Sequence, residues 1–168
     1  MMTFVLPTEA HRDDMLSFYG EFKDAGIGCI GCACADDYDR WLGKMQNRHD
    51  GKNLPEGYGR ENFYLCYSGA ELVGVFSLKF ELTDYLRRCG GHIGYAVRPS
   101  EMNKGYATQM LAEGLKIAKS LGFERVLCVC DEDNITSEKV IVKNGGVFEN
   151  MLFDADENVY VKRYWIDT

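Results

Sequence analysis

The stretch from Gly90 to Gly122 changes its period once, and that change constrains the fold more than any other feature. "GGHIGYAV" is short and apolar, "RPS" stops it, and "GYATQMLAEGLKIAKSLGF" then repeats apolar residues at three- and four-residue steps. Ala107, Met110, Leu111, Gly114, Ala118 and Leu121 form that stripe, so a strand, a break at Pro99 and a helix over 105–121 are expected. Gly122 closes the helix, and Lys116 and Lys119 lie in its later turns, where the helix dipole favours cations. Strand and helix can bury their apolar sides together only if the helix lies on the face of a sheet.

The remaining segments supply the rest of that sheet. "TFVLP" reads as a first strand, and Thr8 as the cap of a helix that Gly26 ends. Ile27–Ala35 breaks all periodicity, and "DDYDRWLGKMQNRHD" resumes helical spacing at Tyr38, Trp41, Leu42 and Met45. "ENFYLCYSGAELVGVFSLKFEL" is aromatic and β-branched with a break at "SGAE", the pattern of an antiparallel hairpin. "ERVLCVCD" is a strand, "NITSEKVIVKNGG" a helix capped by Asn134, and "VFENMLFD" and "NVYVKRYWID" a closing hairpin. The order is β-α-α-β-β-β-α-β-α-β-β. The expected class is α+β, a mixed, mostly antiparallel sheet of about seven strands flanked by about four helices, in a single domain over 1–168.

The break before the third helix is where chemistry is expected. A helix that opens after a turn leaves its first N–H groups unpaired, with the positive end of its dipole outward. Such an end holds a phosphate without many cations. In "MNKGYAT", Gly105 lets the backbone come close, Ala107 adds little bulk, Lys104 brings one charge and Thr108 a hydroxyl.

A net charge of −7 argues against a nucleic-acid backbone as the partner, because phosphate tracks need clustered Lys and Arg. It suits a cationic small substrate. The apolar fraction of 46% is ordinary for a soluble globular chain. No stretch approaches the ~20 apolar residues of a membrane span, and no basic start leads into an apolar run, so neither membrane nor secretory signal is read and a cytoplasmic place is expected. Seven cysteines, an odd number, argue against a disulfide framework. Cys29, Cys32 and Cys34 could seed a thiolate metal site, but no second pair at zinc-finger spacing follows, so no metal is expected.

"GHIGYAVRPSEMNKGYATQMLAEGLKIAKSLGF", followed by "VLCVCDEDNITSEKVIVKNGGVFEN", resembles the GNAT superfamily of N-acetyltransferases. The family's [Gln/Arg]-x-x-Gly-x-[Gly/Ala] loop is matched by Met102-Asn103-Lys104-Gly105-Tyr106-Ala107, its Val-x-Pro by Val97-Arg98-Pro99, and its helix-opening Asn by Asn134. The closing "RYWI" is similar to a bacterial branch of predicted acetyltransferases. The resemblance implies acetyl-CoA as cosubstrate and a primary amine of a small molecule or peptide as acceptor, attacked directly, in a monomer or homodimer. It implies that Asn103, Lys104, Gly105, Tyr106, Ala107 and Thr108 hold the pyrophosphate, that the main chain near Tyr95 and Val97 pairs with the pantetheine arm, and that Asn134 meets the arm from the other side.

Two positions depart from the family pattern. Met102 replaces a Gln or Arg, and its thioether donates no hydrogen bond, which leaves Lys104 or Arg98 to compensate. Ile141 stands where the family often has a Tyr as general acid. His92, Glu81 and Tyr95 are the substitute catalytic candidates, since acetyl transfer to an amine needs a base and a proton for the thiolate. Ser137, one turn after Asn134, could touch the cosubstrate, and Asp36, Asp37 and Asp39 could attract a cationic amine. A catalytically silent CoA-binding regulatory module is the alternative function.

Overall fold

The computed structural model describes residues 2–168. Its strands are β1 (Met2–Val5), β2 (Glu61–Ser68), β3 (Glu71–Lys79), β4 (Ile93–Val97), β5 (Arg125–Asp131), β6 (Val147–Asp154) and β7 (Val159–Asp167). Its α-helices are α1 (Arg12–Ala25), α2 (Tyr38–Asp50), α3 (Tyr106–Ser120) and α4 (Ile135–Lys143). The order of elements is the expected one, and the strands make a single sheet in the order β1-β2-β3-β4-β5-β7-β6. Among the described residues no helix is long and apolar enough to cross a membrane.

Three short helical turns went unread in the sequence: the 3-10 turns Glu9–His11 and Pro99–Glu101, and a π-helical turn at Leu86–Gly90. The first splits the expected helix. Thr8 and His11 close on each other through Thr8 Oγ1 and His11 Nδ1 at 2.9 Å, so α1 starts only at Arg12. The π-helical turn delays β4 to Ile93, because Gly91 N–H is still donating back to Leu86 at 2.6 Å.

The sheet separates two cores. On one face α3 and α4 cover Cys66, Phe76, Leu78, Ile93, Cys128 and Tyr164. On the other, α1 and α2 cover Phe63, Leu65, Leu72 and Val75 with Phe18, Phe22 and Trp41. Gly114 of α3 is packed so closely on Phe76 of β3 that a Cβ there would overlap the ring. Cys128 and Cys130 face the first core as the alternation in "RVLCVC" predicts, and burial pushes their thiols up to about 12 and about 11.

Every neighbouring pair of strands is antiparallel except β4 and β5, which run parallel and share one ladder pair, Ile93 with Cys128. Beyond that pair they part. Parallel neighbours cannot be joined by a tight turn, and α3 is the crossover between these two. The result is a fork that opens towards Val97 on one arm and Asp131 on the other.

The Cys29–Cys32 pair corrects the reading of the cysteines, because the two are joined as a disulfide. One C-x-x-C turn brings two sulfurs together without any wider framework. The bond also removes two of the three thiolates that a metal would need. Among the described residues no group of three or more His, Cys, Asp or Glu is placed to hold a metal ion.

Candidate active site at the fork between β4 and β5

The fork exposes one edge of β4. Arg98 N–H donates to Val73 O at 2.8 Å, so the peptide at Arg98 faces β3. Main-chain groups alternate along a strand, so those of Tyr95 and Val97 face the gap, beyond the last residue paired with β5. Two adjacent peptide units at the mouth of a cleft are therefore free to pair with an extended ligand.

At the open end of the fork lies the start of α3. Gly105 takes φ +84°, a left-handed conformation that favours glycine, and a Cβ there would point into open space. Asn103 is also left-handed, at φ +64°. The helix opens with no side-chain cap, so the N–H groups of its first turn keep their hydrogen-bonding capacity for a ligand. This is an anion cradle made from backbone. It fits a phosphate, and it does not need the side chain of Met102, which is exposed.

The two cations near this end are both engaged. Arg98 holds Glu21 at 2.6 Å, Ser17 Oγ at 2.7 Å and Leu72 O at 3.3 Å, and so ties β4 to α1. Its guanidinium, with the Ser100 N–H, outweighs burial and lowers the Glu21 carboxyl below its usual range. Arg98 therefore cannot compensate for Met102. Lys104 pairs with Glu101 at 2.6 Å but is more than half exposed, so an anion could recruit it. Tyr106 points back to Ser68, with the hydroxyls 3.4 Å apart. Thr108 offers its carbonyl to Asn144 Nδ2 at 3.3 Å and is half-buried.

The second arm of the fork leads into α4. Asn134 caps that helix, its Oδ1 accepting from Ser137 N–H at 3.0 Å, which leaves only its amide donors for a ligand. Tyr95 reaches across from β4, and its hydroxyl meets Ser137 Oγ at 2.9 Å. Burial raises the Tyr95 phenol far above its ordinary value, so it keeps its proton at any working pH. Ile141 is buried in the core behind this pair. Ile141 lies one turn beyond Ser137 on the same face of α4, so the position expected to hold a Tyr is filled by an apolar side chain, and the hydroxyls on the α3–α4 side of the fork belong to Tyr95 and Ser137.

The structure places His92 and Glu81 away from the open end. His92 closes the fork: its N–H donates to Leu127 O and its Nδ1 accepts from Leu127 N–H, both at 2.8 Å. Its ring is packed on Phe123 and Trp165. Burial, helped by Lys79 and Arg87, lowers its pKa to about 4, so it is a neutral clamp with its acceptor nitrogen occupied. Glu81 lies past the end of β3, where its carboxylate accepts from Arg60 N–H at 2.9 Å. The three aspartates are also spoken for. Asp37 caps α2 through Arg40 N–H, Asp39 pairs with Arg12 at 2.5 Å, and Asp36 lies 3.9 Å from Lys23.

On the α1–α2 face of the fork the floor is Gly94, directly across from Ser77 on β3. The disulfide-closed loop lays Ile30 over Gly94, where a Cβ would overlap Ile30 Cδ1. Gly31 O in the same loop accepts from Trp41 Nε1 at 2.8 Å. Beside this floor stand Ser77, Lys79, Glu61 and Arg48, which the sequence reading missed. The signal was present in "VFSLK": Ser77 and Lys79 share one face of a strand that is otherwise apolar.

This sheet, split beside an uncapped helix, defines the class. The acetyltransferase (GNAT) domain family matches residues 2–147, and the chain belongs to that family. A comparison with curated protein sequences gave no match. Among solved structures, the fold is similar to a Salmonella typhimurium acetyltransferase that modifies the N-terminal serine of ribosomal protein L7/L12, at 18% identity and TM-score 0.74 over 99% of this chain and 95% of the other. It is also similar to RimJ of Mycobacterium smegmatis in complex with CoA-disulfide (16%, TM-score 0.77, 99% and 82%). A third is the microcin C7 self-immunity acetyltransferase MccE in complex with acetyl-CoA and AMP (15%, TM-score 0.75, 99% and 92%).

Proposed function

We propose that this chain is an acetyl-CoA-dependent N-acetyltransferase acting on a primary amine of a small molecule or peptide. The observation that carries the reading is the fork itself: two free peptide units on β4 lead directly to the uncapped start of α3. Structural relatives with CoA or acetyl-CoA bound, and with ribosomal-protein or spermidine acceptors, support the donor and the acceptor class.

In this reading the backbone of Asn103, Lys104, Gly105, Tyr106, Ala107 and Thr108 holds the pyrophosphate, and Lys104 can leave Glu101 to join it. The main chain of Tyr95 and Val97 lines up the pantetheine arm as an added strand, and Asn134 donates from the opposite arm. The cosubstrate supplies a thioester carbonyl and a thiol leaving group. A β4 peptide N–H that faces the fork stabilises the negative charge developing on the carbonyl oxygen. The Tyr95–Ser137 pair offers a hydroxyl to the departing sulfur; because the phenol holds its proton tightly, it acts there by hydrogen bonding. His92 and Glu81 keep bracing roles, one closing the fork and the other fixing the start of β2.

The silent CoA-binding module remains a second reading because Ile30 covers the acceptor side of Gly94 and Ile141 removes the usual acid. Thiol release measured over a broad panel of amines separates the two. Turnover on any amine is expected, and CoA binding without turnover on all of them would refute the enzyme.

A further inference from the structure

Acetylation of an alkylamine at neutral pH needs a proton acceptor, because such amines are mostly ammonium there. The groups already placed at the fork do not supply one. His92 has its acceptor nitrogen filled by Leu127 N–H, and Glu81 is bound to a backbone N–H outside the fork. Both faces of the fork are covered, one by α3 and α4 and the other by α1, α2 and the disulfide-closed loop, and over Gly94 and the buried Ser77 the cover is a single loop side chain, Ile30.

On the α1–α2 face three strands bring a polar cluster into register. Glu61 of β2 is opposite Lys79 of β3, and Ser77 of β3 is opposite Gly94 of β4. Because Gly94 has no side chain, Ser77 Oγ stands 3.2 Å from where a Cβ would be, over the peptide that leads into Tyr95. Lys79 folds back along its own strand, with Nζ 3.0 Å from Ser77 Oγ and 3.6 Å from Glu61 Oε1. Arg48 of α2 takes the other Glu61 oxygen at 2.8 Å, so both oxygens of that carboxylate have a cationic partner. Glu61, Arg48 and His92 are the charged and titratable groups that bear on Lys79, and Arg87 of the π-helical turn bears on His92.

We infer that Lys79 is the proton acceptor for the incoming amine, working through the Ser77 hydroxyl. This rests on the acetyltransferase reading above. The acceptor's ammonium gives a proton to Ser77 Oγ as Ser77 passes its own to the neutral Lys79 amine. The freed nitrogen pair then forms the C–N bond, and as the C–S bond breaks the second proton of that nitrogen passes to the departing sulfur, so that a neutral amide and the free CoA thiol are released. Lys79 returns its proton to water after the amide leaves. Burial, with Arg48 nearby, lowers the Lys79 pKa against the pull of Glu61, which favours the neutral amine the step requires. Ile30, 39% exposed on its loop, covers Gly94 and Ser77, and the acceptor takes its place.

The test compares Lys79→Arg with the unaltered protein, because arginine can still pair with Glu61 but stays protonated at working pH and so cannot accept a proton. Acetyl-CoA and a panel of primary amines that includes spermidine and peptides beginning with serine or alanine are the probes, with thiol release as the readout. On every amine the unaltered protein uses, Lys79→Arg should lower kcat at pH 7 by about 100-fold or more, while CoA affinity and Tm change little. Its remaining rate should climb about tenfold per pH unit towards the amine's own pKa, since the amine must then arrive neutral. Ser77→Ala, a small change in a well-packed strand, should show the same steeper pH profile with at least a tenfold loss. Lys79→Arg within threefold of the unaltered rate, with an unchanged pH profile, overturns the inference and leaves the acetyltransferase reading standing. No turnover by the unaltered protein on any amine, with CoA bound, overturns both.

Discussion

Placing a carboxylate at Gly105 should separate cofactor binding from folding, because its two effects have opposite signs. Gly105 sits at φ +84° before the first turn of α3, and a Cβ there meets nothing within 4 Å. Steric clash is therefore absent, and a side chain costs only the left-handed backbone, about 1–2 kcal/mol. Asparagine tolerates that conformation best after glycine, so Gly105→Asn is the neutral control and Gly105→Asp differs from it in charge alone. At a helix start the aspartate should stabilise the fold by about 0.3–1 kcal/mol relative to asparagine, through the dipole.

A doubly charged pyrophosphate about 5 Å from that carboxylate would be repelled by roughly 1.7 kcal/mol at the dielectric of water and more as the site dries. The lower figure alone is about a 17-fold loss of affinity. Calorimetric titration with CoA and a thermal melt of each variant make the comparison. Gly105→Asp should melt at or slightly above Gly105→Asn and bind CoA at least about 15-fold more weakly. Equal CoA affinities for the two variants would refute the placement of the phosphate at the start of α3.

Three further outcomes follow from the same geometry. Tyr95→Phe removes the hydroxyl that meets Ser137, and should lower kcat about tenfold or more with CoA affinity within about threefold, as thiol release and titration would show. His92 is held neutral with its pKa lowered to about 4, so the folded state binds fewer protons than the unfolded one below about pH 6.5. The stability it contributes is complete above pH 6.5 and drains at up to about 1.4 kcal/mol per pH unit until pH 4, about 3 kcal/mol at most. Melts across pH 4–7 should therefore be flatter in His92→Asn, whose Oδ1 can still accept from Leu127 N–H. An unchanged slope would remove His92 from the acid limb. Gly114→Ala would press a methyl into the Phe76 ring; even after the gain in helix propensity it should cost about 1–2 kcal/mol and lower Tm by about 3–6 °C.

The elements were legible wherever local chemistry decides them. Gly26 and Gly51 end α1 and α2 in the left-handed region, Asn134 caps α4, and the stripe in "YATQMLAEGLKIAKS" turns Met110, Leu111, Gly114 and Ala118 inward. The uncapped start of α3 was legible for the same reason, because a strand, a proline and a helix start are consecutive in the chain. Local cues failed at Leu86–Gly90, where "LRRCG" carries no clear period and the turn is held by its packing against β5 and β6.

The division is sharpest in the site. By itself the sequence determined a mixed sheet, its helices and the backbone cradle around Gly105, since each depends on residues within a few positions of one another. Only the tertiary structure decided that β4 and β5 part after a single pair, that Arg98 is consumed by Glu21, and that Ile141 faces the core while Tyr95 reaches Ser137. It also decided that Glu61, Lys79, Ser77 and Gly94 meet across three strands. Strand register and charge pairing are set by contacts between residues far apart in the chain. No periodicity in one segment encodes which partner lies beside it.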